Sequence, residues 1–167
     1  MKNNAKPKLR LISERIPDEF ITKPICIFDI FKATDEFFDE NFRGAITVEN
    51  ELETDGYVNI SPDGFAFFHK LFLNAIFGES VVRLKMCSRD GVFKVMANWK
   101  VYNKISKSYL ALLSSTAESS GFKMTISENG DTGHLILEAP IKITPMISIY
   151  AVSAERMRGA FTRVFFF

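Results

Sequence analysis

Residues 61–97 read SPDGFAFFHKLFLNAIFGESVVRLKMCSRDGVFKVMA, and the order of their local signals decides the fold. Ser61-Pro62-Asp63 starts a helix. It offers a hydroxyl to cap the first amides, a proline in the first turn where an N–H is not needed, and an acid beside the positive end of the helix dipole. Phe65, Phe68, Phe72, Ala75 and Ile76 recur at helical spacing as far as Gly78, which predicts a helix with an aromatic face. Val81 to Met86 and Val92 to Ala97 are strand-like, and Arg89-Asp90-Gly91 between them is a turn, so a hairpin follows the helix.

Upstream, the pattern becomes helical from Pro24. Ile27, Phe31, Thr34 and Phe38 form a stripe widened by Ile30 and Phe37, while Asp35, Glu36, Asp39 and Glu40 form a solvated face. Asn41 and Gly44 close that helix, and strand-like runs follow at 45–49 and 57–60, with Asp55-Gly56 as a turn. Downstream, residues 98–107 read as a polar connection. Tyr109 to Ser119 reads as a helix with Leu110, Leu113 and Ala117 on one face and Gly121 as its C-terminal cap. A second hairpin, Phe122 to Ser127 and His134 to Ala139, turns at residues 128–131.

Helix, two strands, helix, hairpin, helix, hairpin is the order of an α+β fold. The expectation is a two-layer α/β sandwich, with a mixed, mostly antiparallel sheet covered on one face by about three helices. Its expected parts are a polar segment 1–23, the body 24–140 and an extension 141–167. The extension reads as strand, helix, strand: an apolar run 146–152, a helical stretch 154–160 and a last run 162–167. An exposed Phe165-Phe166-Phe167 would invite aggregation, so burial is expected, either against the chain's own body or against a second copy in a homodimer.

Composition narrows the class. Of 167 residues, 47% are apolar and 25% charged, far from the signature of disorder. A net charge of +1 gives no field for nucleic acid, and the basic cluster Lys2, Lys6, Lys8 and Arg10 suits a solvated terminus. No run approaches the roughly 18 apolar residues of a membrane span, and no secretory signal is evident. Cytoplasm is the expected location, with Cys26 and Cys87 as buried free thiols. The 17 phenylalanines point to an aromatic core rather than base-stacking platforms, because Lys and Arg do not interleave them.

Three stretches resemble the ATPase domain of sensor histidine kinases, a Bergerat-type domain of the GHKL superfamily. Ser61-Pro62-Asp63-Gly64-Phe65 is similar to the family's D-P-x-x-L helix start. Leu71-Phe72-Leu73-Asn74-Ala75-Ile76 is similar to its N-box, L-L-x-N-A-I, and a V-x-V hairpin follows. Leu110-Ala111-Leu112-Leu113, Ala117-Glu118 and Gly121 resemble its L-A-L-V…A-E-x-x-G helix. Together these span roughly Ile25 to Pro140.

The departures lie where the family holds its nucleotide. The resemblance implies a D-x-G-x-G motif, whose Asp binds the adenine amino group, at Asn98-Trp99-Lys100-Val101-Tyr102; neither carboxylate nor glycine stands there. The family's long lid with its G-x-G is replaced by about ten residues carrying Ser106-Lys107-Ser108. Asn74 matches the Mg²⁺-ligating Asn, but Lys70 stands where hydrolysing members carry a Glu base. The phosphoacceptor His is missing; His69 reads as a half-exposed residue of the N-box helix, and His134 is the only other.

The resemblance therefore implies a degenerate kinase-type domain, a regulatory or protein-interaction module in bacterial signalling, with no cofactor and no ATP turnover expected. One alternative is a divergent ATP-binding histidine or serine kinase, or an anti-sigma-factor-like protein. It would bind ATP with magnesium through Asn74, Lys70, Asn98 and Lys107, with Asn74 on the metal. Another is a binder of small planar ligands in an aromatic cleft at Trp99 and Tyr102. The serines near Ser114 lack a nucleophile elbow.

Overall fold

The protein, seen in a computed structural model, is described over residues 20–76, 81–142 and 154–166. In chain order its elements are β1 (Lys23–Cys26), α1 (Ile27–Phe42), β2 (Ile46–Leu52), β3 (Tyr57–Ile60), α2 (Pro62–Ala75), β4 (Val82–Arg89), β5 (Val92–Lys100), α3 (Lys107–Ser119), β6 (Lys123–Asn129), β7 (Thr132–Pro140) and α4 (Ala154–Phe165). The expected α+β sandwich is the observed one.

Local signals placed most of these elements, and tertiary pairing moved a few. Residues 23–26 are a strand, not the first turn of α1. Ile25 pairs opposite Val58 of β3, antiparallel, and is fully buried, so the pairing overrides the helical pattern that begins at Pro24. The five-stranded sheet has the order β2-β4-β5-β7-β6. Only β2 and β4 run parallel, with Val48 beside Leu84; the other three pairs are antiparallel.

Strand alternation then divides the sheet into two faces. Leu84, Met86, Phe93, Val95, Ala97, Leu135, Leu137 and Ala139 point inward and are buried. α1 lies against β2, α3 against β6, and Phe72 of α2 meets Trp99 of β5 edge-on at 5.1 Å between ring centres. The outward face mixes Met96 and Ile136 with charged residues: Lys94 pairs with Glu138 at 2.9 Å and Lys85 with Glu51 at 2.9 Å. Cys87 shares that face with Lys85 and Arg89 by the same alternation. It is half-buried rather than buried, as is Cys26, and both thiols are free.

The extension does not end in a strand. Residues 154–165 form a single helix, α4, because Met157, Ala160, Phe161 and Phe165 share one side. That side packs across α1 and α2, with the Phe161 ring stacked on Phe37 at 4.9 Å. Phe165 and Phe166 both lie against Phe37, at 5.1 and 6.1 Å between ring centres, but Phe166 remains 60% exposed. Residues 1–19, the run 146–152, Gly78 and Phe167 lie outside the described residues.

Candidate functional site

The helix α2 starts as its sequence requires. The Ser61 hydroxyl accepts a hydrogen bond from the Gly64 amide at 3.1 Å, and Pro62 occupies the first turn. Lys70 and Asn74 stand one turn apart on this helix, on the same side. Asn74 is exposed. Lys70 is directed elsewhere: its Nζ donates to the Val164 carbonyl at 2.7 Å. Arg163 reaches Asp63 at 2.8 Å, so the end of α4 is tied to the Lys70 side of α2 at two points.

Asn98 and Trp99 take opposite faces of β5, because residues 98–100 are strand and not the start of a connection. A residue facing α2 from this end of β5 must share the parity of Phe93, Val95 and Ala97, and that residue is Trp99. Asn98 points outward, where its Oδ1 lies 2.5 Å from Nδ1 of His134 on β7. It therefore faces away from α2 and is not beside Asn74.

Trp99 fills the space it faces. The side chain is only 4% exposed. Its indole lies flat against Gly133 on β7, where an added Cβ would come within 2.1 Å of Cε2, so only glycine fits beneath it. Tyr102, by contrast, is 57% exposed, with Nζ of Lys100 5.3 Å above its ring. Trp99 belongs to the core and Tyr102 to the surface, and the two do not line one cleft.

β5 ends at Lys100 and α3 begins at Lys107, leaving the six residues 101–106 as the connection. That connection is held down. The Val101 amide donates to the Asp131 carbonyl at 2.7 Å, and the Ile105 amide to the Glu128 carboxylate at 3.3 Å. Ser106 caps α3 by accepting from the Tyr109 amide at 3.3 Å, and Lys107 at the helix start is exposed. The Tyr109 hydroxyl crosses to α2 and donates to the Leu71 carbonyl at 2.9 Å; burial pushes its pKa up.

His69 is fully enclosed rather than half-exposed. The sign was present in the sequence: it follows Phe65 by one turn and so falls on the edge of the buried stripe. With Nδ1 2.9 Å from the Phe65 carbonyl, which can only accept, Nδ1 carries the proton. Burial lowers its pKa to about 4.

No protein-family model matches the chain, and a search of curated proteins finds no match. Solved structures do match its fold. The nucleotide-free catalytic domain of histidine kinase ThkA aligns with TM-score 0.52 at 13% identity, covering 72% of this chain and 96% of that one. Full-length ShkA in complex with AMPPNP aligns with TM-score 0.55 at 12% identity, covering 86% of this chain and 41% of that one. ThkA in complex with the response regulator protein TrrA gives 0.54 at 11% identity, covering 85% and 53%.

The chain has the fold of a histidine-kinase catalytic domain. Within that fold, the residues that the sequence resemblance ties to ATP and magnesium do not converge: Asn98 faces outward from β5, whereas Asn74 is exposed on α2. The inward position at the end of β5 carries an indole, Lys70 is engaged by α4, and the connection before α3 is six residues long. Asn74 is the one expected ligand-binding residue that remains on the surface of the N-box helix.

Proposed function

We propose that this kinase-type domain no longer turns over ATP and serves as a regulatory or protein-interaction module in bacterial signalling. The observation that supports it most is Trp99. An indole packed on Gly133 and Phe72 takes the inward position at the end of β5, next to Asn98 where the resemblance would place an adenine-binding acid, and a large aromatic core residue cannot be displaced cheaply. The tied-down connection 101–106 adds to this, since a loop pinned at both ends cannot act as a lid.

Its proposed partner is a protein component of a signalling pathway. The structure of ThkA with a response regulator, to which this chain is similar, makes that partner class the first to try.

Thermal unfolding with and without millimolar Mg-ATP tests the reading. A ligand present at about 100 times its Kd stabilises by about 2.7 kcal/mol, which is several degrees in Tm for a chain of this size. The expected result is an unchanged Tm. A rise of several degrees that is lost in Asn74→Ala would overturn the proposal in favour of a divergent ATP-binding kinase.

A further inference from the structure

Of the polar residues buried among the described ones, His69 alone has a side chain whose ordinary pKa lies near physiological pH. Its imidazole sits in a cage of rings contributed by three helices. Phe38 of α1 lies at 5.9 Å, Phe65 and Phe68 of α2 at 4.4 and 5.9 Å, and Phe161 of α4 at 6.0 Å. The walls that face it are aromatic. The ionised groups those helices bring to the junction are Glu36 with Arg158, Asp63 with Arg163, and Lys70, which is bound to the Val164 carbonyl. None of them hydrogen-bonds the imidazole; the Phe65 carbonyl on Nδ1 favours the charged form, but the cost of burial outweighs it.

A protonated His69 must reach water, and the cage has one wall that can leave. α1 and α2 are locked into the sandwich, by β2 and by α3 and Trp99 respectively. α4 packs on these two helices alone among its main contacts, and it closes the cage with Phe161.

We propose that α4 is an acid-released latch: proton uptake by His69 undocks Phe161, and with it α4, from α1 and α2. The direction follows from linkage. The ordinary pKa of a histidine is 6.5, which His69 approaches as the cage opens to water, and burial lowers it to about 4 while α4 is docked. The docked state therefore has its full stability above 6.5 and loses it as pH falls from 6.5 towards 4. Between pH 7.5 and pH 5 the opening equilibrium rises by up to about 30-fold. Release bares the apolar sides of α1 and α2 and frees Lys70. The latch does not depend on whether the domain binds nucleotide.

Hydrogen-exchange mass spectrometry on the full chain at pH 7.5 and pH 5, corrected for intrinsic exchange rates, reads this directly. Amides of α4 should lose up to about 30-fold protection between the two conditions while remaining less protected than β5 at both. The double variant Glu36→Gln/Asp63→Asn, which removes the rim carboxylates, should keep that dependence, and His69→Leu should abolish it. The latch is overturned if corrected α4 protection is the same at both pH values, if α4 and β5 open together as one transition, or if His69→Leu behaves like the parent. Should His69→Leu fail to fold, Phe161→Leu gives an independent answer. Loosening the cage must raise the NMR titration midpoint of His69 towards 6.5, and an unmoved midpoint rejects the proposal.

Discussion

The inner and outer faces of the five-stranded sheet are built from alternate residues of the same strands, yet they follow different rules. Inward, Phe93, Val95, Ala97 and Trp99 run in sequence along β5, each almost wholly buried. Outward, Lys94 meets Glu138 and Asn98 meets His134 in the open, where water screens every pairing. A site between the sheet and the helices can use only the first set. The function of this end of β5 is therefore decided by parity, and a one-residue displacement exchanges a solvated amide for a buried indole.

Trp99→Ala breaks the inner face most severely. It removes a buried indole from between Phe72 and Gly133 and leaves a cavity that neighbouring strands cannot close. The expected loss is about 3–5 kcal/mol by chemical denaturation, with little change in the slope of the transition. A loss under about 1 kcal/mol would mean that the indole is not a core group, and the space beside α2 would again be open to a ligand.

Gly133→Ala tests the same contact from the other strand at lower cost. The new Cβ would overlap the indole, so either Trp99 leaves its rotamer or β7 shifts against β5. Overpacking of this kind costs about 1–3 kcal/mol. The single Trp makes the consequence visible: its emission should shift to the red if the ring is pushed towards water. If stability is unchanged and emission stays put, Trp99 does not rest on this glycine.

Much of this arrangement was legible because its causes are local. The cap at Ser61, the three- and four-residue spacing of the α2 phenylalanines and the Asp90-Gly91 turn each specify their structure within a few residues, and all three are where the sequence placed them. Asp90 and Gly91 both take positive φ there, as the turn demands. What was misread depends on distant partners. Residues 98–100 look polar enough for a loop and become strand only because Gly133 and Thr132 of β7 pair with Trp99 and Lys100. Ile25 extends because Val58 lies beside it. His69 is buried because α4, some 90 residues later, places Phe161 over it. Thr162 to Phe165 continue a helix because Phe37 receives their aromatic side. In each case the missing term was a contact across the chain, which no local pattern contains.

Asn98→Ala carries the smallest expected effect and the sharpest meaning. The residue next to the most sensitive position in the strand should tolerate truncation within about 0.5 kcal/mol, because its hydrogen bond to His134 is made in water and water replaces it. Measured beside Trp99→Ala, the pair isolates the two faces with one host strand, one assay and adjacent positions. A large loss at Asn98 accompanied by a small one at Trp99 would mean that the strand presents the opposite parity. The amide would then face α2, on the same side of the sheet as Asn74, and the case against a nucleotide held between them would fail at its starting point.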